Sequence, residues 1–320
     1  TRRFRSETRK WQRNNLTLAH TYSKLEGFML QQKSRPQKNT YITGDLKILP
    51  ISKLMAAEVI GVDLRKPLNK TTKACIYQAF LKYQLLVFRN QDLNKSEQVS
   101  FTKQFGTLER HTLTNKGQSD SPFVHIVTNL DEHGHPTGKV KSTLWHSDKS
   151  FREAPSMATL LHAKCLPPNG GDTCFANMYA AYEALPDETK DELKDKKVIH
   201  SWELSRENMG RTLSQKEIDD APPMAHPLIR EHPETGRNCL FLGMHASHIE
   251  GQNVTKSRSK IEALEKHATK EEFVFRHRWS DGDLLMWDNR CLLHRADTNF
   301  DAAYYPRVMH RTCLRGTPTN

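Results

Sequence analysis

The sequence lacks any apolar run long enough to cross a membrane, which would need roughly 20 consecutive residues. Hydrophobic residues make up only 36% of the chain. Residues 1–15 are charged and have neither the apolar stretch nor the small-residue cleavage site of an export signal. These absences predict a soluble, cytoplasmic, globular protein with no membrane partner.

Paired cysteines are also missing. The six cysteines are scattered singly, without any Cys-x-x-Cys pair, at Cys75, Cys165, Cys174, Cys239, Cys291 and Cys313. A disulfide framework and a structural zinc site are therefore not expected. Isolated cysteines usually serve as small apolar residues of the core, and we predict that role for these.

Positive charge is concentrated at one end of the chain. The formal net charge is +11, and residues 1–40 contain ten Lys or Arg against two Glu, a net +8 that leaves only +3 for the rest. This distribution argues against a basic groove for nucleic acid and predicts a basic, disordered arm over residues 1–45. Nucleic-acid binding through that arm is the alternative. Residues 46–320 are predicted to form a single catalytic domain.

Helices are predicted from the spacing of apolar residues. Residues 70–83 have helical spacing and run into Leu85–Phe88, which has the length and bulk of a buried strand. Asn94 is expected to cap a second helix that ends at Gly106. Three further helices are predicted, over residues 178–185, 186–194 and 256–267.

Runs of strand length dominate after residue 120. They cover residues 158–162, 198–202, 227–230, 239–243, 273–279, 284–287 and 308–314. Glycine-containing turns at 233–236 and 280–283 are expected to close two hairpins. Many short strands with few helices predict a mainly β fold with flanking helices, of the sandwich, jelly-roll or barrel type.

Three metal-ligand residues stand out. His146 and Asp148 are two residues apart, and on a strand this spacing places both side chains on one face. A later strand-like run would bring His294 to the same place. Two imidazoles and one carboxylate are the facial triad of non-haem Fe(II) oxygenases, but zinc hydrolases use similar ligands. Asp288 is a weaker candidate for the carboxylate, because it lacks this spacing to a histidine.

Two arginines follow the last candidate ligand. Arg307 and Arg311 are four residues apart, so on a strand they share a face. A guanidinium binds a carboxylate through two parallel hydrogen bonds. One arginine could therefore hold the far carboxylate of a 2-oxo dicarboxylate that chelates the metal, and the other could hold an anionic substrate.

These motifs, taken together, resemble those of a known family. The matching runs are Trp145-His-Ser-Asp-Lys-Ser-Phe151, Pro167-Pro-Asn-Gly-Gly-Asp-Thr173, His245-Ala-Ser-His-Ile-Glu-Gly251 and residues 273–294. The chain resembles, over roughly residues 46–316, the taurine dioxygenase and 2,4-dichlorophenoxyacetate dioxygenase family of Fe(II)/2-oxoglutarate enzymes. The last two runs are more similar to the phenoxyacetate branch.

The resemblance implies a fold, a cofactor and a set of roles. It implies a double-stranded β-helix, which is a cupin-like jelly roll, with Fe(II) on the three candidate ligands and 2-oxoglutarate and O2 as cosubstrates. Thr173 and Arg307 would hold 2-oxoglutarate, and Arg311 would receive the acidic group of the substrate. His245 and Lys116 are further candidates for the substrate pocket. His245 and His248 could instead form a second metal site.

The predicted activity is hydroxylation of a small anionic organic molecule, with release of succinate and CO2. A phenoxyacetate-like aryloxyalkanoate, cleaved after hydroxylation, is the first expectation. An alkylsulfonate, taurine or sulfate-ester dioxygenase of the same family is the alternative. A zinc hydrolase or a non-oxidative metal-binding jelly roll also fits the ligand set. Homo-oligomerisation is a further expectation.

Overall fold

Strands contribute more residues than α-helices to the part of the chain that the structure describes. The computed structural model describes residues 41–43, 45–110 and 121–319. The strands are β1 Tyr41–Thr43, β2 Leu46–Pro50, β3 Ala57–Ile60, β4 Leu85–Phe88, β5 His125–Thr128, β6 Ser156–Cys165, β7 Thr173–Asn177, β8 Lys197–His200, β9 Met224–Pro227, β10 Ile229–Glu231, β11 Asn238–Leu240, β12 Ala246–Ile249, β13 Val274–His277, β14 Leu284–Asp288, β15 Leu292–Ala296 and β16 Val308–Arg315. The helices are α1 Lys70–Tyr83, α2 Lys95–Lys103, α3 Met178–Glu183, α4 Asp187–Leu193, α5 Trp202–Glu207, α6 Gln215–Asp219 and α7 Val254–Ala268, with a 3-10 turn at Glu271–Phe273.

Eight strands form the largest sheet, in the order β1-β2-β3-β4-β14-β6-β16-β5. Its central strand β14 pairs antiparallel with both β4 and β6. Leu284 and Met286 on this strand belong to the cluster that includes buried residues of α1 and α2, whereas Leu285 and Trp287 belong to the other core cluster. Because side chains alternate along a strand, the sheet is buried on both faces.

A smaller sheet carries two segments of the candidate site. It has the order β13-β7-β15, and β7 pairs antiparallel with both neighbours. Its residues Phe175, Leu292 and Leu293 share the core cluster of Trp287, so this sheet packs on the face of the large sheet opposite to α1 and α2. Thr173 begins β7 and His294 lies in the middle of β15.

Two further sheets, β12-β8-β9 and β10-β11, complete the strand pairing of the described residues. None of the helices in the described ranges is long and apolar enough to span a membrane.

Several local predictions are confirmed. The structure has a helix at Lys70–Tyr83 and a fully buried strand at Leu85–Phe88. Asn94 caps α2 through the backbone N–H of Glu97, whose side chain accepts a hydrogen bond from the Asn94 N–H in return. The turn at 233–236 joins the paired strands β10 and β11. These features depend on neighbouring residues, so the local sequence was sufficient to predict them.

Three predictions are corrected. Helix α2 ends at Lys103, with right-handed Gln104 as its cap, and not at Gly106. The turn at 280–283 exists but closes no hairpin, because β13 pairs with β7 whereas β14 pairs with β4 and β6. His146 and Asp148 do not share a strand: His146 forms an isolated bridge to His294, and Asp148 lies in a turn.

The candidate substrate residue Lys116 and residues 1–40 of the predicted arm lie outside the described ranges. Residues 41–43, which were predicted to belong to the disordered arm, form β1 and pair with β2.

Candidate metal centre

A two-residue bridge brings the first and last candidate ligands together. The His146 N–H donates to the His294 carbonyl at 3.0 Å, and the His294 N–H donates to the His146 carbonyl at 2.8 Å. The two imidazole centroids are 4.1 Å apart. Asp148 Oδ2 lies 3.9 Å from His294 Nε2, and one ligand atom from each of the three residues lies within 4.8 Å of the others. The strand prediction was wrong, but the predicted convergence occurs through this bridge.

Hydrogen bonds and burial prepare the two histidines for a metal. His146 Nδ1 lies 2.8 Å from the carbonyl oxygen of Leu144, so a proton on Nδ1 leaves Nε2 as the free electron-pair donor. Burial lowers the pKa of His146 and lowers that of His294 further. Both rings are therefore neutral at physiological pH, which is the form that binds metal ions.

The carboxylate of Asp148 is held on both oxygens. Burial by itself would raise its pKa, but Arg311, the two neighbouring histidines and the Thr159 hydrogen bond together outweigh burial, so that the pKa lies below the usual range for aspartate. Arg311 Nη1 donates to Oδ1 at 3.1 Å, and Thr159 Oγ1 donates to Oδ2 at 2.5 Å. Asp148 thus remains a charged oxygen donor inside the protein. Two neutral imidazoles and this carboxylate fit Fe(II) and leave coordination positions for other ligands.

A hydrogen-bonded chain leads from the core to this carboxylate. Trp287 Nε1 donates to Asn289 Oδ1 at 2.9 Å, and Asn289 Nδ2 donates to Thr159 Oγ1 at 2.9 Å. The Thr159 hydroxyl accepts this hydrogen bond and donates its own proton to Asp148 Oδ2. Ser147 also donates to the Asn289 carbonyl at 2.6 Å. The turn after β14 therefore orients the ligand that lies more than a hundred residues earlier.

The two residues that the sequence assigned to 2-oxoglutarate lie side by side. Arg307 Nε donates to the Gly171 carbonyl at 3.0 Å, and its Nη2 lies 3.5 Å from Thr173 Oγ1. Trp279 Nε1 donates to the same hydroxyl at 3.0 Å. Arg307 is only 5% exposed, and burial lowers its pKa to about 10. No carboxylate of the described residues forms an ion pair with it, so the guanidinium can receive an external carboxylate.

The turn before β7 explains how Arg307 reaches this position. Gly171 has φ +69°, and a Cβ there would lie 3.3 Å from both Cδ and Nε of Arg307. The backbone therefore approaches the arginine as closely as glycine allows. Asn299 Oδ1 accepts the Gly171 N–H at 2.9 Å and fixes the turn.

Arg311 lies against the metal ligands as well. Besides its contact with Asp148, its Nη2 lies 3.0 Å from His125 Nδ1. Arg311 lies on β16 between β6 and the edge strand β5, where it is opposite Leu161 and His125. The cation predicted to hold the substrate therefore adjoins the candidate metal position.

The two histidines that the sequence suggested for the substrate pocket or for a second metal site have different surroundings. His245 is 3% exposed and packs against Phe151, with 4.9 Å between ring centroids. Neither of the possible metal clusters among the described residues includes His245 or His248. His248 Nδ1 instead lies 3.0 Å from Ser247 Oγ. The alternative of a second metal site on this pair therefore has no support in the described structure.

Asp288, the competing carboxylate, has other partners. It accepts hydrogen bonds from Arg290 Nε and Nη2 at 2.8 and 2.7 Å, and His232 Nε2 lies 3.1 Å from Oδ2. Although His232, Asp288 and Cys291 are close enough to one another for a metal, the arginine already occupies both carboxylate oxygens. Asp288 is the last residue of β14, and its carboxylate is held by the turn that follows.

The sequence did not predict the hydrogen bonds that Thr159, Trp279 and Asn289 form at the site. Thr159 bonds Asp148, which is 11 residues away. Trp279 and Asn289 bond residues that are 106 and 130 positions away. Thr159 lies inside a buried strand, where nothing in its local sequence distinguishes it from a core residue. Trp279 lies two residues after β13, and its pairing with Thr173 follows only from the register of β13 on β7.

Comparison with known proteins places this geometry in a family. Residues 47–313 match the family described as "Taurine catabolism dioxygenase TauD, TfdA family". The alpha-ketoglutarate-dependent 2,4-dichlorophenoxyacetate dioxygenase of Cupriavidus pinatubonensis is 39% identical over 258 residues, which are 77% of this chain and 90% of that protein. The (S)-phenoxypropionate/alpha-ketoglutarate-dioxygenase of Delftia acidovorans is 32% identical, over 85% of this chain and 96% of that protein.

A solved structure extends the likeness to three dimensions. The crystal structure of AAD-2 in complex with Mn(II) and N-oxalylglycine has a TM-score of 0.77 and 38% sequence identity, and the match covers 85% of this chain and 100% of that one. The family match spans most of the sequence and includes all three candidate ligands. The chain therefore belongs to the taurine catabolism dioxygenase TauD, TfdA family and is an Fe(II)- and 2-oxoglutarate-dependent dioxygenase.

Proposed function

We propose that this dioxygenase hydroxylates a small aryloxyalkanoate at the carbon between the ether oxygen and the carboxylate. The observation that carries the proposal is the 3.1 Å contact between Arg311 Nη1 and Asp148 Oδ1, since it places a cation for the carboxylate directly beside a metal ligand. The phenoxyacetate and phenoxypropionate dioxygenases among the relatives support the same substrate class.

His146, Asp148 and His294 are the proposed ligands of Fe(II). Bound Fe(II), together with 2-oxoglutarate and O2, supplies the oxidation of a C–H bond and the release of succinate and CO2. The protein supplies neutral imidazoles and an oriented carboxylate. Thr159 and Arg311 keep that carboxylate charged and fixed by their hydrogen bonds.

Thr173 and Arg307 are the proposed anchors of the far carboxylate of 2-oxoglutarate. The buried guanidinium has no acidic partner among the described residues, and the Thr173 hydroxyl adjoins it. A carboxylate between them gains charge-assisted hydrogen bonds in a site from which the protein excludes water. This contact orients the other end of the cosubstrate towards the metal.

Arg311 is the proposed anchor of the substrate carboxylate. Fixing that group turns one C–H bond of the adjacent carbon towards the metal, which is the positional contribution of the protein to the reaction. Hydroxylation of an ether carbon gives a hemiacetal. The hemiacetal breaks into a phenol and a 2-oxo acid, so the overall reaction cleaves the aryl ether.

The fold that we propose for this site is a double-stranded β-helix. The pairing of β15 with β7 and the packing of that sheet on the eight-stranded sheet support this proposal, because they form two facing layers around the ligands. We propose residues 46–320 as the catalytic domain, with β1 as an additional edge strand of its large sheet and the basic arm before β1.

A substrate panel tests the function. The full chain with Fe(II), ascorbate and 2-oxoglutarate should release succinate and a phenol in equal amounts from phenoxyacetate or 2,4-dichlorophenoxyacetate. Taurine and hexyl sulfate test the sulfonate and sulfate-ester alternatives. The His146→Ala variant should release no substrate-dependent succinate. Turnover of taurine or hexyl sulfate without turnover of either aryloxyacetate would contradict the proposed substrate class.

Spectroscopy separates the dioxygenase from a zinc hydrolase or binding module, which the isolated motifs left open. Anaerobic addition of Fe(II) and 2-oxoglutarate should produce a weak visible charge-transfer band, and the His146→Ala protein should lack it. Family membership favours this outcome.

A further inference from the structure

A third arginine lies near the candidate metal centre and has no role in the proposed reaction. Arg206, on the short helix α5, packs its guanidinium over the Trp202 ring at 3.8 Å from the ring centroid. Stacking of this kind holds the planar group in place and leaves its N–H donors pointing outward from the ring. The side chain is thus preorganised as a hydrogen-bond donor.

Aromatic contacts connect this arginine to the metal centre. The Trp202 ring stacks on His245 at 5.9 Å and contacts Phe151 at 4.5 Å. His245 belongs to the turn after Gly243, where an added Cβ would lie 3.3 Å from the Cα of His146. Arg206 therefore belongs to the wall that adjoins the metal ligands. In agreement with this position, its charge lowers the pKa of both His146 and His245.

Arg206 has no counter-charge in the described residues. Its Nε is buried, and no described residue accepts a hydrogen bond from it. Burial and, to a smaller extent, the nearby Arg211 lower its pKa to about 10. Arg211, by contrast, forms an ion pair with Glu217. Of these two arginines, only Arg206 lacks an acidic partner among the described residues.

The charges of the loaded site leave Arg206 unbalanced. Asp148 and a bound 2-oxoglutarate dianion balance Fe(II) and Arg307, and a monoanionic substrate balances Arg311. Arg206 then remains a partly buried cation without an anion, which is an unfavourable arrangement. A second negative group on the substrate would remove this cost.

We propose that Arg206 binds a second anionic group, at the end of the substrate distant from Arg311, so that the site prefers dianionic aryl ethers. This inference rests on the proposed function and narrows its substrate class. The aromatic ring of such a substrate would separate its two charges, and the half-buried Trp202 offers an apolar surface beside Arg206. Arg206 is then a specificity-determining residue that the metal and 2-oxoglutarate do not require.

Calorimetry on the full chain loaded with Mn(II) and N-oxalylglycine tests the proposal without turnover. The probes are phenoxyacetate, a monoanion, and 4-carboxyphenoxyacetate, a dianion. The unmodified protein should bind the dianion about tenfold more tightly, the gain expected from one charge-assisted hydrogen bond. Arg206→Gln should remove this preference while changing the affinity for phenoxyacetate less than about twofold.

Arg211→Gln is the matched control, because it removes a neighbouring cation that already has a partner; it should keep the preference. Arg206→Lys, which retains the charge, should keep part of it. The Arg206 proposal is overturned if the unmodified protein shows no preference, or if Arg206→Gln retains it. Binding and cleavage of phenoxyacetate without any preference would overturn this inference alone, whereas failure to bind either probe would also contradict the proposed function.

Discussion

Asp148 has a hydrogen-bond donor on each carboxylate oxygen, and the two donors have different functions. Arg311 places a positive charge next to Oδ1, whereas the neutral Thr159 hydroxyl orients the carboxylate through its hydrogen bond to Oδ2. Partners that orient a metal ligand typically affect metal affinity by 10- to 100-fold, on the order of 1.4 to 2.7 kcal/mol. At the residue scale, the effect of the orienting hydrogen bond can be tested separately from the effect of the charge.

Removing the Thr159 hydroxyl should weaken metal binding without removing charge. We expect Thr159→Val to raise the Fe(II) dissociation constant about tenfold, because Asp148 loses one orienting donor. Anaerobic titration followed by tryptophan fluorescence measures this, and Thr159→Ser should restore affinity. Thr102→Val, which removes another buried threonine hydroxyl on α2, is the control. An unchanged dissociation constant in Thr159→Val would show that Asp148 needs no such orientation.

Arg307 and Arg311 should differ in the ligand that they affect. Arg307→Gln should raise the apparent KM for 2-oxoglutarate by about 10- to 100-fold, since a charge-assisted hydrogen bond contributes roughly 1.5 to 3 kcal/mol. Arg311→Gln should spare 2-oxoglutarate affinity and reduce the coupling of succinate release to phenol release. Initial rates at varied 2-oxoglutarate and at varied phenoxyacetate distinguish the two, and the opposite pattern would exchange their roles.

At the scale of elements, the turn that precedes β7 controls the position of Arg307. Gly171 lies at positive φ, and an added Cβ would contact Pro167 Cγ at 3.0 Å as well as the arginine. The β7 strand then continues into a fully buried segment that cannot shift to relieve the contact. A change in this turn should therefore act on cosubstrate binding.

Gly171→Ala should raise the KM for 2-oxoglutarate, because the methyl group displaces Arg307. Gly134→Ala is a close control, since Gly134 also has positive φ but an added Cβ there has nothing within 4 Å. Both variants should lose roughly 1 kcal/mol of stability or more from the strained backbone. Urea unfolding measures the stability and steady-state kinetics measures the KM. Equal KM values for 2-oxoglutarate in the two variants would show that the turn does not affect cosubstrate binding.

At the scale of the whole molecule, buried neutral histidines make stability depend on pH. Burial lowers the pKa of His200 to about 3 and that of His226 to about 4. His200 stacks on Phe241 at 5.0 Å and its Nδ1 lies 3.0 Å from Ser150 Oγ. In the unfolded chain both histidines would take up protons near pH 6.5.

The unfolding free energy should therefore fall as pH decreases below about 6.5, because the unfolded state binds protons that the folded state does not. His200 alone should account for about 1.4 kcal/mol between pH 7.5 and 5.5. Urea unfolding at both pH values measures this difference, and His200→Gln should reduce it. His248→Gln is the comparison, as His248 is less buried. An identical pH dependence in His200→Gln would assign the effect to other groups.

The sequence predicted correctly those elements whose formation depends on residues close together in the chain. Helix α1, strand β4 and the cap of α2 follow from apolar periodicity and from one side chain that bonds a nearby N–H. The prediction failed for the turn at 280–283, whose flanking strands join different sheets. The choice of strand partner depends on residues that are distant in sequence, and a turn motif carries no information about them.

The sequence by itself determined the types of metal ligand, two histidines and an aspartate, and it led to the proposal that arginines bind the carboxylates. It also determined the family, because several motifs recur together along the chain. Only the tertiary structure decided how these groups meet. The bridge between His146 and His294, the donors on Asp148 and the position of Arg206 all depend on contacts between distant segments. Such contacts arise from strand register and side-chain packing, which no short stretch of sequence specifies.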